Sequence, residues 1–252
     1  MNDWVEPYVG FEFKGTGIHI NRAFQTEKLE LLGLSPSLYG DYVDPSFYIG
    51  LGIQAGIEAG ISAEGNVNMV STLRMHRPVW LGEELFARGR IEAVDAVPRG
   101  LQIGTDVWFE GLDGERAVSV PRRSLKPDSS KEKKGAGQRP PAVISEVASL
   151  ARLSECRLTP DIVCAYSSEG NSIHYDRESA NRAGFRAPII GGGMGVHYLI
   201  AELWFELGSE IWLDIFFRRP IFWDDEFYVG RSDDGIALIR GDKVLTEARI
   251  NG

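Results

Sequence analysis

The clearest periodicity lies in the second half of the chain. Ile200, Leu203, Trp204 and Leu207 recur at i, i+3, i+4 and i+7, while Glu202 and Glu206 fall on another face. This spacing predicts an amphipathic helix, stopped by Gly208. Beyond it the pattern becomes extended, over Ile211 to Phe222, Glu226 to Arg231, Ile236 to Arg240 and Val244 to Ile250. Asp233-Asp234-Gly235 and Gly241-Asp242 mark turns between these strands. The first half repeats the order. A helix is predicted from Phe47 to Ala59, with strands around Val70 to Val79, Leu85 to Val94, Leu101 to Glu110 and Arg116 to Leu125. One long helix followed by antiparallel strands, present twice, predicts two curved sheets, each wrapped around its own helix.

The repeat is also visible residue by residue. Arg77-Pro78-Val79-Trp80 through Phe86 lies over Arg219-Pro220-Ile221-Phe222 through Tyr228. Upstream, Asp44-Pro45-Ser46-Phe47 faces Ala187-Pro188-Ile189-Ile190, each opening an apolar stretch long enough for a helix. Two matched segments in order favour duplication. Between the halves, Lys126 to Pro141 reads KPDSSKEKKGAGQRPP, an exposed linker by composition. The expected division is therefore 1–125, a linker over 126–142, and 143–252.

Composition narrows the class. The chain has 252 residues, 43% hydrophobic and 10% aromatic, enough to bury a large core. Its net charge of −9 argues against nucleic acid or an anionic membrane surface as a bulk partner. Cys156 and Cys164 match neither a CxxC pair nor a disulfide framework. The start, Met1-Asn2-Asp3-Trp4, lacks the features of a secretion signal, and no run is long enough for a membrane helix. A soluble, cytoplasmic protein is expected.

Candidate chemistry gathers between Tyr166 and Met194. An acid (Glu169), an amide (Asn171) and an imidazole (His174) fall close together, with Gly170 and Ser172 suited to a tight turn. A carboxylate and an imidazole can share acid and base work on one water. Further on, Pro188-Ile189-Ile190-Gly191-Gly192-Gly193-Met194-Gly195 enters the amphipathic helix. Glycines at a helix N-terminus leave N–H groups open to a developing oxyanion. The alternative roles are a polar surface loop with a stray histidine and a close helix–sheet contact that needs glycine only for space.

This segment resembles the signature of the MaoC-like, R-specific enoyl-CoA hydratases: Asp-x-Asn-Pro-(Ile/Leu)-His, then Asp, Ala, Gly-Phe, Pro-Ile and Gly-Met. Glu169, Asn171, Ser172, Ile173, His174, Asp176, Ala180, Gly184, Phe185, Pro188, Ile189, Gly193 and Met194 stand at its positions in register. The resemblance implies an α+β double hot-dog, two long central helices each wrapped by a curved antiparallel sheet. The second hot-dog would carry the site, and the first, lacking an acid–amide–His loop, would be degenerate and widen the acyl tunnel.

By the same resemblance Glu169 and His174 form the acid–base pair that hydrates a 2-enoyl-CoA or dehydrates a 3-hydroxyacyl-CoA, as in fatty acid metabolism. Asn171 braces the loop and the Gly193 N–H holds the thioester oxygen. Ser172, Gly192 and Met194 contact the substrate, with Arg182 and Arg186 as first candidates for the phosphates. No metal or other cofactor is implied; CoA or an acyl carrier arrives with the substrate. A homodimer of fused chains is compatible with this scheme.

Three positions depart from the family pattern. Glu169 replaces Asp, moving the carboxylate by roughly 1.5 Å. Ser172 replaces Pro, and Gly192 stands where His often precedes Gly-Met. These departures keep an unusual acyl group, thioester hydrolysis and non-catalytic acyl-CoA binding open as alternatives.

Other signals carry less. Gly50-Leu51-Gly52-Ile53-Gln54-Ala55 fits a GxGxxG/A pattern, but no acid follows at the required distance. It reads instead as a helix packing its glycines on a sheet. His19, His76 and His197 are expected to serve as surface or packing residues.

Overall fold

The computed structural model describes every residue except 1–3, 129, 132–134, 136, 138, 168 and 169. In the first half, β1 (Glu12–His19), α1 (Arg22–Leu31) and α2 (Phe47–Glu58) precede β2 (Val67–Met75), β3 (Glu84–Val97), β4 (Gly100–Glu110), β5 (Arg116–Ser119) and β6 (Arg122–Pro127). In the second, β7 (Ala151–Arg157), α3 (Pro160–Tyr166), α4 (Arg177–Arg182) and α5 (Gly192–Leu207) precede β8 (Trp212–Phe217), β9 (Glu226–Ser232), β10 (Gly235–Arg240) and β11 (Lys243–Ile250). The two long helices are α2 and α5, as the periodicity predicts.

Among the described residues, these strands join one eleven-stranded sheet. Its two halves meet where β2 pairs antiparallel with β8, from Val70 opposite Phe216 to Arg74 opposite Trp212. Within each half the sheet curls around its helix, and buried side chains of α5 such as Leu199, Ile200 and Leu203 form the core. Burial of each such side chain contributes about 1.5–3 kcal/mol relative to exposure. The glycine pattern in α2 has the anticipated packing role. A Cβ at Gly52 would stand 3.0 Å from Val120 and 3.2 Å from Val107, so a side chain here would press both valines outward by a few tenths of an ångström.

Several boundaries differ from the sequence reading. Arg116 to Leu125 is two strands, because the chain breaks at Val120-Pro121, where proline has no N–H to give the ladder. Ile211 to Phe222 is strand only over Trp212–Phe217 and ends before Pro220. Lys126 and Pro127 belong to β6 rather than the linker. The lysine run of the linker lies largely outside the described residues.

The repeat itself acquires a corrected register. Val43 N–H bonds the Val79 carbonyl at 2.9 Å, and Ile190 N–H bonds the Ile221 carbonyl at 2.9 Å. Trp80 N–H bonds Glu83, as Phe222 N–H bonds Asp225. The Arg-Pro segments therefore correspond as the sequence aligns them. Upstream, Val43 corresponds to Ile190, so Asp44 stands opposite Gly191 and the pairing of Pro45 with Pro188 does not hold. The error arose because a shared proline dominates a short alignment, whereas equivalence in space follows the ladder.

Candidate functional site

His174 closes a single 3₁₀ turn, Ser172–His174, that follows Asn171. Its Nδ1–H donates to the carbonyl of Ile189 at 2.7 Å, and the ring is buried. A carbonyl only accepts, so this bond places the proton on Nδ1 and leaves the Nε2 lone pair for chemistry. Ile189 in turn leads into α5. One hydrogen bond thus fixes the imidazole to the chain that delivers the helix N-terminus.

That terminus is uncapped by any side chain, since its N-cap is Gly191. The first-turn N–H groups have no carbonyl a turn earlier to bond. Gly192 and Gly193 line the same cavity as His174, a space of about 240 Å³. A Cβ at Gly192 would lie 2.8 Å from the tip of the Phe217 ring, so glycine here lets that ring pack against the cavity wall.

Asn171 is buried and binds across to the first half. Its Oδ1 accepts from Gly65 N–H and its Nδ2 donates to the Asn66 carbonyl, both at 3.1 Å. Ser172 follows suit, giving its N–H (3.1 Å) and its hydroxyl to the Glu64 carboxylate. The loop is therefore held from the other hot-dog, a relationship that spacing along the chain does not reveal. Asn171 also lines the cavity, while Ser172 and Met194 are not among its lining residues. Met194 is completely buried in the core. Glu169 lies outside the described residues.

The charges that line the cavity are not the arginines singled out by the sequence. Arg182 and Arg186 do not line it. Arg182 bonds Ser179, and Arg186 is committed to Asp224 and Asp225 at 3.0 and 3.1 Å. The Asp224 hydrogen bond raises the pKa of Arg186 and lowers that of its partner. The lining instead includes Arg99, Arg122, Arg139, Arg218 and Arg219, and no carboxylate among the described residues. Arg218 is anchored by Glu247 at 2.6 Å and by the carbonyls of Pro140 and Pro141, which fold the end of the linker onto the rim. An acidic protein thus presents a cationic cavity. Sequence reasoning missed these arginines because they come from four separate segments, read along the chain as strands, repeat or linker, and nothing in their spacing shows that they meet.

Both halves build the cavity. Asn66, Asn68 and Val70 come from the β2 region and Arg122 and Ser124 from β6, opposite His174 and the glycines of α5. Solved structures share the fold. The crystal structure of Mycobacterium tuberculosis HtdX superimposes with a TM-score of 0.77 at 18% identity, covering 95% of this chain and 99% of that one. A MaoC-like dehydratase from Phytophthora capsici matches with a TM-score of 0.68 at 16% identity, covering 96% and 95%. A further Mycobacterium tuberculosis protein, described as having a double hot-dog fold, gives a TM-score of 0.63 at 11% identity, covering 97% and 96%. The fold is the double hot-dog of the MaoC-like dehydratases.

No protein-family model matches the chain, and no curated protein matches it significantly in sequence. The double hot-dog positions the loop and the helix terminus, and its core mixes aliphatic and aromatic side chains. Among the described residues no cluster of His, Cys, Asp and Glu is arranged to hold a metal, and no helix is long and apolar enough to cross a membrane.

Proposed function

We propose that the protein reversibly hydrates a 2-enoyl thioester, with CoA as the carrier. The observation that carries this reading is the placement of His174 and the α5 N-terminus on one cavity, with Nδ1 committed to Ile189 and Nε2 left to act. The imidazole and the carboxylate of Glu169, its partner by resemblance, hold a water. As the water oxygen bonds the β-carbon, one O–H bond breaks and its proton passes to the base. The π electrons move toward the thioester carbonyl, and the enolate oxygen accepts from the Gly193 N–H. Return of a proton to the α-carbon completes the 3-hydroxyacyl thioester. Donors fixed before the charge develops need no reorganisation, which is why such sites commonly contribute about 3 kcal/mol or more. The phosphates of CoA would meet Arg139 and Arg219, both exposed at the cavity rim.

The test is a panel of 2-enoyl-CoA thioesters followed by ultraviolet absorbance and free-thiol release. Loss of enoyl absorbance without thiol supports hydration. Thiol release identifies a thioesterase, and binding without either change identifies a carrier; each overturns the proposal.

A further inference from the structure

Among the described residues, one arginine lining the cavity keeps a guanidinium nitrogen without a partner. Arg122 opens β6, and its Nη1 is buried with no hydrogen-bond partner. Its Nη2 would lie 3.4 Å from a Cβ at Gly56, so the guanidinium sits beneath α2 rather than in open water. Burial pulls its pKa down to about 10. Around it lie further unsatisfied atoms, the buried Oδ1 of Asn66 and of Asn68, with Ser124 beside them on the cavity wall. A narrower recess of about 30 Å³ shares Arg122, Asn66 and Ser124 and continues toward Phe13 and Ile91. Buried polar atoms are normally satisfied, and an unpaired buried guanidinium is costly. An apolar acyl tail running from His174 into this half would leave the deficit in place. A planar anion would satisfy the guanidinium, whose fork matches a carboxylate in two parallel bonds, while the two asparagine oxygens, being acceptors, would take a donor such as water.

We propose that the acyl group accepted here carries a carboxylate at the end remote from the thioester, bound by Arg122. This rests on the hydratase reading for the direction in which the acyl chain runs. It explains why the first half, without a catalytic loop, retains a cationic pocket within its curled sheet. Arg122 is then a specificity-determining residue and takes no part in the proton transfers.

The experiment compares the CoA thioesters of trans-2-hexenoic acid and trans-2-hexenedioic acid, which differ only at the far end. The wild type should favour the diacid thioester in kcat/KM by about tenfold or more, carried mainly in KM. Arg122→Met should collapse that ratio, and Arg122→Lys should keep part of it. Equal rates on both substrates, or a ratio unchanged in Arg122→Met, would overturn the proposal. Weakened binding of free CoA to Arg122→Met would assign the residue to the carrier and overturn it too.

Calorimetric binding of adipyl-CoA against hexanoyl-CoA separates this proposal from the hydratase reading. A preference for adipyl-CoA that Arg122→Met loses sustains the carboxylate site even if no enoyl thioester is hydrated; no preference overturns it. Removing an unpaired buried charge should not lower the melting temperature of Arg122→Met. If that variant nevertheless fails to fold, the wild-type preference and its partial retention in Arg122→Lys decide the question.

Discussion

The carboxylate of Asp44, in the first hot-dog, accepts from Nδ1–H of His197 on α5 at 2.6 Å, with both side chains fully enclosed. Nε2 of the same ring accepts from the Tyr166 hydroxyl at 2.6 Å, and Asp44 also receives the N–H of Ser46 at 2.9 Å. This chain ties the start of α2 to α5 and to the end of α3, from which the polar loop departs. It is a structural lock between the halves, placed behind the site.

Asp44→Ala leaves the imidazole N–H and the Ser46 N–H without acceptors in a dry interior. We expect a loss of about 3 kcal/mol in unfolding free energy. Urea denaturation measures it, and a loss below about 1 kcal/mol would show that the lock contributes little.

His174→Ala should lower kcat on the best enoyl thioester by about 10²- to 10⁴-fold, the usual contribution of a positioned acid–base group. The far-ultraviolet circular dichroism spectrum and a cooperative melt should be retained. Unchanged turnover would remove His174 from the proposed mechanism.

Asn171 clamps the loop to the Gly65–Asn66 turn from both ends of its amide. Asn171→Ala should destabilise the fold by about 1–3 kcal/mol, because two backbone groups lose their partners. Asn171→Asp keeps the acceptor for Gly65 but turns a buried, charged carboxylate oxygen toward the Asn66 carbonyl, so it should destabilise at least as much as the alanine variant. Equal melting temperatures for all three would sink the clamp.

The two thiols should differ in reactivity. Burial pushes Cys156 up to about 12, whereas Cys164 is exposed. At pH 8 a thiol reagent should modify Cys164 alone until the protein unfolds. The folded state holds the Cys156 proton more tightly than the unfolded one, so this group favours folding below the ordinary thiol pKa. That contribution declines as pH rises toward about 12. Simultaneous labelling of both thiols in the native protein would contradict this environment.

Much of the architecture was legible because it is written in local pattern. The apolar spacing of Ile200, Leu203, Trp204 and Leu207 specifies a helix with one buried face, and its observed range is Gly192–Leu207. The predicted helix from Phe47 to Ala59 is observed as Phe47–Glu58. The edge elements β1 and β7 and the short helices α1, α3 and α4 were not anticipated, since their patterns are brief and partly polar. The grouping of Asn171 and His174 was visible for a similar reason: a short loop keeps sequence neighbours together in space.

The sequence by itself determined two helix-plus-strand units, their repetition, and a polar loop followed by glycines at a helix start. Only the tertiary structure decided that β2 and β8 would zip the units into one sheet and that Glu64 and Gly65 would hold the loop from the other half. It also decided that Arg122 would face the cavity while Arg186 would be spent on Asp224 and Asp225. Periodicity encodes which side of an element seeks the core, because that preference is local. Which charge finds a partner depends on chain segments far apart in sequence, and no spacing along the chain records their meeting.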